Sequence, residues 1–335
     1  MRLRRLGKTD LMVSEIGFGG IPIQRVSQEE TTAIIKACHE AGVRFVDTAK
    51  GYTNSEEMLG NALKGIREDF VIATKSLSRD YESMKRDIES SLVMLQTDYI
   101  DLYQCHFIRN QEQYDLLMTN GGYRALVEAK EAGKIGHIGV TSHSADFLLS
   151  IVEKGEFETV QFPYNLLETQ AKELFDLCGQ LDIGVIAMKP AAGGALPNVP
   201  LSLKFILNHP SMTLAIPGMD SLDQVGVNAA VGKNSLEITA EEQAEIDDIR
   251  TKMGNSFCRR CGYCLPCPQG IDIPNQFLLE GYLSRYSLPE WSHVRYDAQV
   301  KKASDCVACG VCETRCPYDL PIIEMLSTVV EKMKR

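Results

Sequence analysis

Short apolar runs rich in Val, Ile and Phe recur along the first part of the chain: SEIGFGG, RFVDTA, FVIATKS, YIDLYQCHF, IGHIGVTSH, TVQFPYN, GVIAMKP and MTLAIPG. Each reads as a strand. Between them lie stretches with helical spacing of apolar positions, such as SQEETTAIIKACHEAG, SMKRDIESSLVMLQ and ETQAKELFDLCGQLD. Ser27 before QEE and Ser144 before ADFLLSIVEKG are candidate N-caps, and Gly42 and Gly155 stand where helices should stop. Every strand run but the last is followed by a helix before the next strand. SLDQVGVNAAVG and TAEEQAEIDDIRTKM then close the ring. Eight strand–helix units in about 250 residues is the size of an α/β (β/α)8 TIM barrel. An open doubly wound sheet is the alternative, weakened because no G-x-G-x-x-G follows a strand.

The alternation stops near Gly254–Asn255, which divides the chain into residues 1–254 and 255–335. IDIPNQFLLEGYLSRYSLPEWSHVRYDAQVKKASD in the second part reads as helix, loop and helix, so this part is expected to be a small, mainly helical domain. Charge supports the division: the first part carries a net −11 and the second +1.

Over all 335 residues the hydrophobic share is 44% and the charged share 24%, as in a soluble globular protein. The net charge of −10 argues against a nucleic-acid partner. No apolar run approaches membrane-spanning length, so no membrane is expected. MRLRRLGKTDLMVSEIG has no continuous apolar stretch or small-residue cleavage site and does not read as a signal peptide. That favours the cytoplasm, where thiols stay reduced. Eight of the eleven cysteines fall in the second part in two tight clusters, a pattern of metal ligation more than of disulfides. Cys38, Cys105 and Cys178 are scattered and read as small buried hydrophobes.

Polar groups gather at the C-terminal ends of the strand runs, the face on which barrel active sites form. Asp47 ends the second run and Tyr52 follows it, Lys75 ends the third and His106 the fourth. Singly, each has a bland reading as N-cap, surface anchor, solvated amine or core imidazole; four on one barrel face are harder to dismiss. The segments RLGKTDLMVSEIGFGG, FVDTAKGYTNSEEMLGNAL, IATKS, DYIDLYQCH, GKIGHIGVTSH and VQFPYN resemble the aldo-keto reductase family over nearly all of residues 1–254.

The resemblance implies a catalytic tetrad at Asp47, Tyr52, Lys75 and His106, a small carbonyl or alcohol substrate, and hydride from NAD(P)(H). A phenol with pKa near 10 is mismatched to neutral pH as a proton donor. A cationic Lys75 beside it would favour the phenolate, Asp47 would keep that lysine charged, and His106 would orient the carbonyl.

The same resemblance locates a cofactor site and its departures. Relatives that prefer the phosphorylated cofactor carry Lys and Arg after the eighth strand; IPGMDSLDQVGVN has Gly218 and Gln224 there, beside Pro217 and Ser221, and Val227 where a Glu often holds the adenine. Asn228 is retained. Without the two cations a bidentate phosphate grip is lost, so selectivity for NADP over NAD is in question. Met188, followed by Lys189, replaces the Tyr that stacks on the nicotinamide. Thr141–Ser142 stands for the carboxamide-binding Ser-Asn, and Gln161 is kept.

The cysteine runs are C-x2-C-x2-C-x2-C-P over 258–268 and C-x2-C-x2-C-x3-C-P over 306–317. The second is the spacing of bacterial ferredoxins, and the long helical spacer resembles the dicluster domains of respiratory reductases. Zinc is the alternative, but zinc ribbons use two cysteines per element, not four followed by Pro. In two-cluster ferredoxins the fourth cysteine of a run reaches across to the other cluster. That resemblance implies one 4Fe–4S cluster on Cys258, Cys261, Cys264 and Cys316, and another on Cys306, Cys309, Cys312 and Cys267.

A dicluster module moves electrons singly, whereas nicotinamide delivers two together, and a flavin normally mediates. No flavin motif is recognisable, although barrels can bind FMN without one. Three readings stay open. The first is an oxidoreductase exchanging electrons with a carrier protein such as a ferredoxin through the clusters. The second is an ordinary carbonyl reductase with structural or oxygen-sensing clusters. The third is a redox-responsive nucleotide-binding regulatory protein.

Overall fold

The alternation of the eight apolar runs becomes eight parallel strands in the structure, a computed structural model that describes residues 1–334. An antiparallel pair comes first, β1 (Leu3–Arg5) with β2 (Met12–Ser14). The parallel strands follow as β3 (Phe18–Gly19), β4 (Phe45–Asp47), β5 (Val71–Ser76), β6 (Ile100–Cys105), β7 (Ile135–Thr141), β8 (Thr159–Pro163), β9 (Gly184–Met188) and β10 (Leu214–Ile216). They pair in sequence order, and the parallel bridges Ile16–Ala215 and Gly19–Gly218 join the first to the last. The result is a (β/α)8 barrel rather than an open sheet.

Pairing and side-chain alternation together build the site. Inward-facing Phe45, Ala73, Leu102, Ile186 and Leu214 form one apolar layer with Leu6 and Val13 of the β1–β2 hairpin. Two residues further along β4, β5 and β6 the inward side chains turn polar: Asp47, Lys75 and Gln104. The residues between them (Val46, Tyr103, Cys105) point outward into the larger core under the helices. Cys38 and Cys178 lie in that same core, fully buried.

The helix signals act where the sequence places them. Ser27 accepts from the Glu30 N–H and Glu30 returns the bond to Ser27 N, a capping box opening the helix Gln28–Ala41. Gly42 ends it at φ 88°, a left-handed conformation suited to glycine. Ser144 caps Ala145–Leu149 through Phe147 N, and Gly155 follows the short 3-10 turn after it.

The chain divides into two compact units. One comprises Met1–Asn165, Thr169–Ala191 and Asn198–Ile238; the other Leu166–Glu168, Ala192–Pro197 and the chain from Thr239 onward. The break in sequence pattern at Gly254–Asn255 and this packing division do not coincide. The helix Ala240–Met253, read above as closing the barrel ring, belongs to the second unit. Its pattern marks an apolar face, with Ile246 and Ile249 buried, but does not say which core receives that face. The second unit continues with helices Ile273–Ser284, Pro289–Asp297, Val311–Thr314 and Ile322–Lys332, packed around Phe277, Leu279, Ile322, Leu326 and Val329. Among the described residues, no helix is long and apolar enough to cross a membrane.

Candidate active site and cysteine-lined cavities

In the barrel unit, Lys75 is the centre of the polar layer, with 1% of its surface exposed. Its Nζ donates to Asp47 Oδ1 at 2.6 Å and to the Thr48 carbonyl at 2.6 Å. Burial pushes Lys75 below and Asp47 above their ordinary values, and their mutual contact opposes both shifts. Tyr52 stands in the turn after β4, its ring centroid 5.0 Å from Lys75 Nζ. The His106 ring meets Tyr52 edge to face at 6.0 Å. All four residues named from the strand ends are therefore gathered on one barrel face.

His106 is half-buried, and among the described residues its buried Nδ1 has no hydrogen-bond partner. Burial, then the charges of Lys75, Arg79 and Lys189, hold its pKa well below the usual 6.5, so the ring is neutral at neutral pH. Arg79 fixes its backbone, donating to the His106 carbonyl at 2.7 Å.

One member of the layer is absent from the reading of the sequence. Gln104 donates from Nε2 to Asp47 Oδ2 at 3.3 Å and to Gln161 Oε1 at 3.0 Å, tying Asp47 to β8. Its signal was available: Gln104 lies two residues before His106, on the inward register of β6.

The residues named for the cofactor fall at the ends of β7 to β10. Thr141 Oγ1 accepts from Phe107 N at 2.8 Å, and Ser142 Oγ accepts from Ser144 N at 3.1 Å. Each hydroxyl thus accepts one bond and its O–H remains to donate, which fits a carboxamide oxygen. Met188 ends β9, and Lys189 follows at φ 55° with its carbonyl accepting from Asn165.

Past β10, Pro217 accepts from Gly19 N, and Ser221 caps the helix Leu222–Val231. Gln224 Oε1 accepts from Asp220 N at 2.8 Å, and Asn228 is buried. A side chain at Gly218 would place its Cβ 2.6 Å from Pro22 Cγ. Pro22 thus occupies the space that a phosphate-gripping lysine would need. The neighbouring cation, Arg25, is paired with Asp220 at 2.5 Å.

The second unit contains two small cysteine-lined cavities. One is lined by Cys258, Cys261, Cys264 and Cys316, the other by Cys267, Cys306, Cys309 and Cys312. Each takes three cysteines from one run and one from the other. The cavity walls are otherwise mostly apolar, with Pro274, Phe277 and Leu320 at the first and Ile273, Ile323 and Leu326 at the second. Four soft sulfur donors around a mostly apolar pocket fit a 4Fe–4S cluster.

The aldo/keto reductase family model matches residues 15–200, and a 4Fe-4S dicluster domain model matches residues 257–321. The chain is 29% identical to the uncharacterized oxidoreductase YqkF of Bacillus subtilis over 295 residues, covering 72% of this chain and 94% of that protein. The structure of aldo-keto reductase AKR11C1 from Bacillus halodurans in its holo form superposes with a TM-score of 0.67 at 27% identity. The match covers 74% of this chain and 96% of that one. An aldo/keto reductase from Klebsiella pneumoniae in complex with NADP and acetate gives 0.64 at 25% identity, over 74% and 94%. The chain belongs to the aldo/keto reductase family, and it is an oxidoreductase carrying a second region of the 4Fe–4S dicluster type.

Proposed function

We propose that the chain interconverts a small carbonyl compound and its alcohol with Tyr52 as general acid and base, uses NAD(P)(H), and exchanges electrons with a carrier protein through two 4Fe–4S clusters. The observation that carries the reading is the buried Lys75–Asp47 pair set 5.0 Å from the Tyr52 ring. When bound, a nicotinamide supplies hydride to the carbonyl carbon and the clusters supply single-electron transfer.

The chain's own residues do the rest. The Tyr52 hydroxyl donates its proton to the carbonyl oxygen as negative charge develops there, and takes it back in the alcohol direction. The Lys75 charge stabilises the phenolate left behind, with Asp47 and Gln104 keeping that charge in register. His106, neutral, orients the carbonyl through Nε2. Thr141, Ser142 and Gln161 would hold the carboxamide. Met188, Lys189, Pro217, Gly218, Ser221, Gln224 and Asn228 would line the rest of the cofactor's path. Gly218, closed off by Pro22, and Arg25, committed to Asp220, support use of NADH as well as NADPH. The cysteines would hold the clusters in the two sets that line the cavities.

Tyr52→Phe tests the acid. Carbonyl turnover should fall by about 10²–10⁴-fold, the usual worth of general acid–base catalysis, while nicotinamide still quenches protein fluorescence with unchanged affinity. Turnover equal to the native chain would remove Tyr52 from the role. In the native, anaerobically prepared chain, NAD(P)H or the alcohol form of the substrate, each giving up two electrons, should reduce the two clusters by one electron each on the timescale of turnover. An electron-spin signal blind to both would reduce the proposal to carbonyl chemistry alone.

A further inference from the structure

Arg259 is a buried cation that, among the described residues, has no carboxylate in ion-pair contact. Only 8% of its surface is exposed. Its Nε donates to the Leu167 carbonyl at 2.9 Å, and its Nη1 to the carbonyls of Gly254 at 2.8 Å and Phe257 at 3.2 Å. The guanidinium carbon lies 3.7 Å from the centroid of the Tyr318 ring. These contacts satisfy donors but supply no counter-charge, and an uncompensated buried charge costs several kcal/mol. The next residue makes the contrast: Arg260, also buried, is paired with the fully buried carboxylate of Glu168.

Both Arg259 and Tyr318 line the cavity of Cys258, Cys261, Cys264 and Cys316, and each is within two residues of one of those cysteines. The four sulfurs must be thiolates to ligate iron, so a cluster there carries net negative charge and gains one more on reduction. No Lys or Arg is among the residues lining the other cavity.

Building on the dicluster reading above, we propose that Arg259 is the counter-ion of the cluster held by Cys258, Cys261, Cys264 and Cys316. By favouring its more negative, reduced form it keeps that cluster's reduction potential up. Reduction adds one electron and neither makes nor breaks a bond, so the effect is a charge–charge one, and net charge is among the levers that set such potentials. Arg259 is a positioning and tuning residue, not a ligand.

The test uses the full chain, assembled anaerobically, with iron and sulfide counted and both clusters titrated with dithionite under electron-spin detection. In Arg259→Leu, one of the two midpoints should fall by at least a tenfold change in the reduction equilibrium, about 59 mV for one electron, with the other unmoved. Arg259→Lys keeps the charge and should hold that midpoint near the native value. If Arg259→Leu fails to retain iron, retention by Arg259→Lys at the native midpoint supports the counter-ion role, and its loss there too overturns it. Full iron in Arg259→Leu with neither midpoint moved, or both moved alike, also overturns it. A native chain that binds too little iron for two clusters defeats the dicluster reading itself, a result distinct from the other failures.

Discussion

Lys75, Asp47 and His106 show how one environment assigns three different states. Burial works against charge on all of them. Lys75 and Asp47 oppose it by contact with each other, though burial is the larger effect on both; His106, facing the cations Lys75, Arg79 and Lys189, stays neutral. The consequence is visible in pH dependence. With its pKa depressed, His106 keeps its neutral form below the range in which an ordinary imidazole protonates. The kcat/KM profile for carbonyl reduction should therefore show no inflection near 6.5. An inflection there that disappears in His106→Gln would contradict the assignment. At this scale the candidate residues were legible in the sequence because Asp, Lys and His at strand ends stand out chemically. Gln104 does not: an amide raises no alarm until the register shows it facing Asp47 and Gln161. The Arg260–Glu168 pair was illegible for another reason, since 92 residues separate the partners.

Glu158 fastens neighbouring elements of the barrel. Its carboxylate accepts from Lys130 Nζ at 2.6 Å and from Ile138 N at 3.1 Å, and lies 2.7 Å from His137 Nδ1. It thus links the helix Gly122–Glu131, β7 and the entry to β8. Burial raises its pKa, but the hydrogen bonds from His137, Lys130 and Ile138 outweigh burial and bring it down from 4.5 to about 2. A depressed carboxylate contributes stability that is fully present above the ordinary pKa and is lost as pH falls through the folded one. Glu158→Gln should therefore be less stable than the native chain at pH 7, by about 1–3 kcal/mol. The gap in denaturant midpoint should close as pH falls from about 4.5 towards about 2; a gap independent of pH would refute the assignment. The parallel strands were readable because their apolar runs are long or flanked by clear helices. The β1–β2 hairpin was not, since strands of three residues leave no periodic trace, and only packing against Phe45 and Leu102 reveals Leu6 and Val13 as core.

For the molecule as a whole, the two units rest on different resources. The barrel has an extended apolar core of its own, whereas the second unit encloses two cysteine-lined cavities within a small helical frame. Metal binding to such a frame contributes directly to its folding. Removing iron with a chelator should strip hydrogen-exchange protection from the helices Ile273–Ser284 and Ile322–Lys332 and leave β4 to β9 protected. Equal loss in both units would mean that their stabilities are not separable. The division itself was only partly legible: composition marks where the cysteines begin, but not that Ala240–Met253 groups with the second unit. The exchange of cysteines between the two runs also sets an order of manufacture. As the chain emerges from the ribosome, Cys258, Cys261 and Cys264 come first but cannot enclose their cavity until Cys316 has been made. Cys267 waits in the same way for Cys306, Cys309 and Cys312. Neither set is complete until the second run is made, so a nascent chain halted in the spacer exposes four unsatisfied thiols to oxygen and to stray metals.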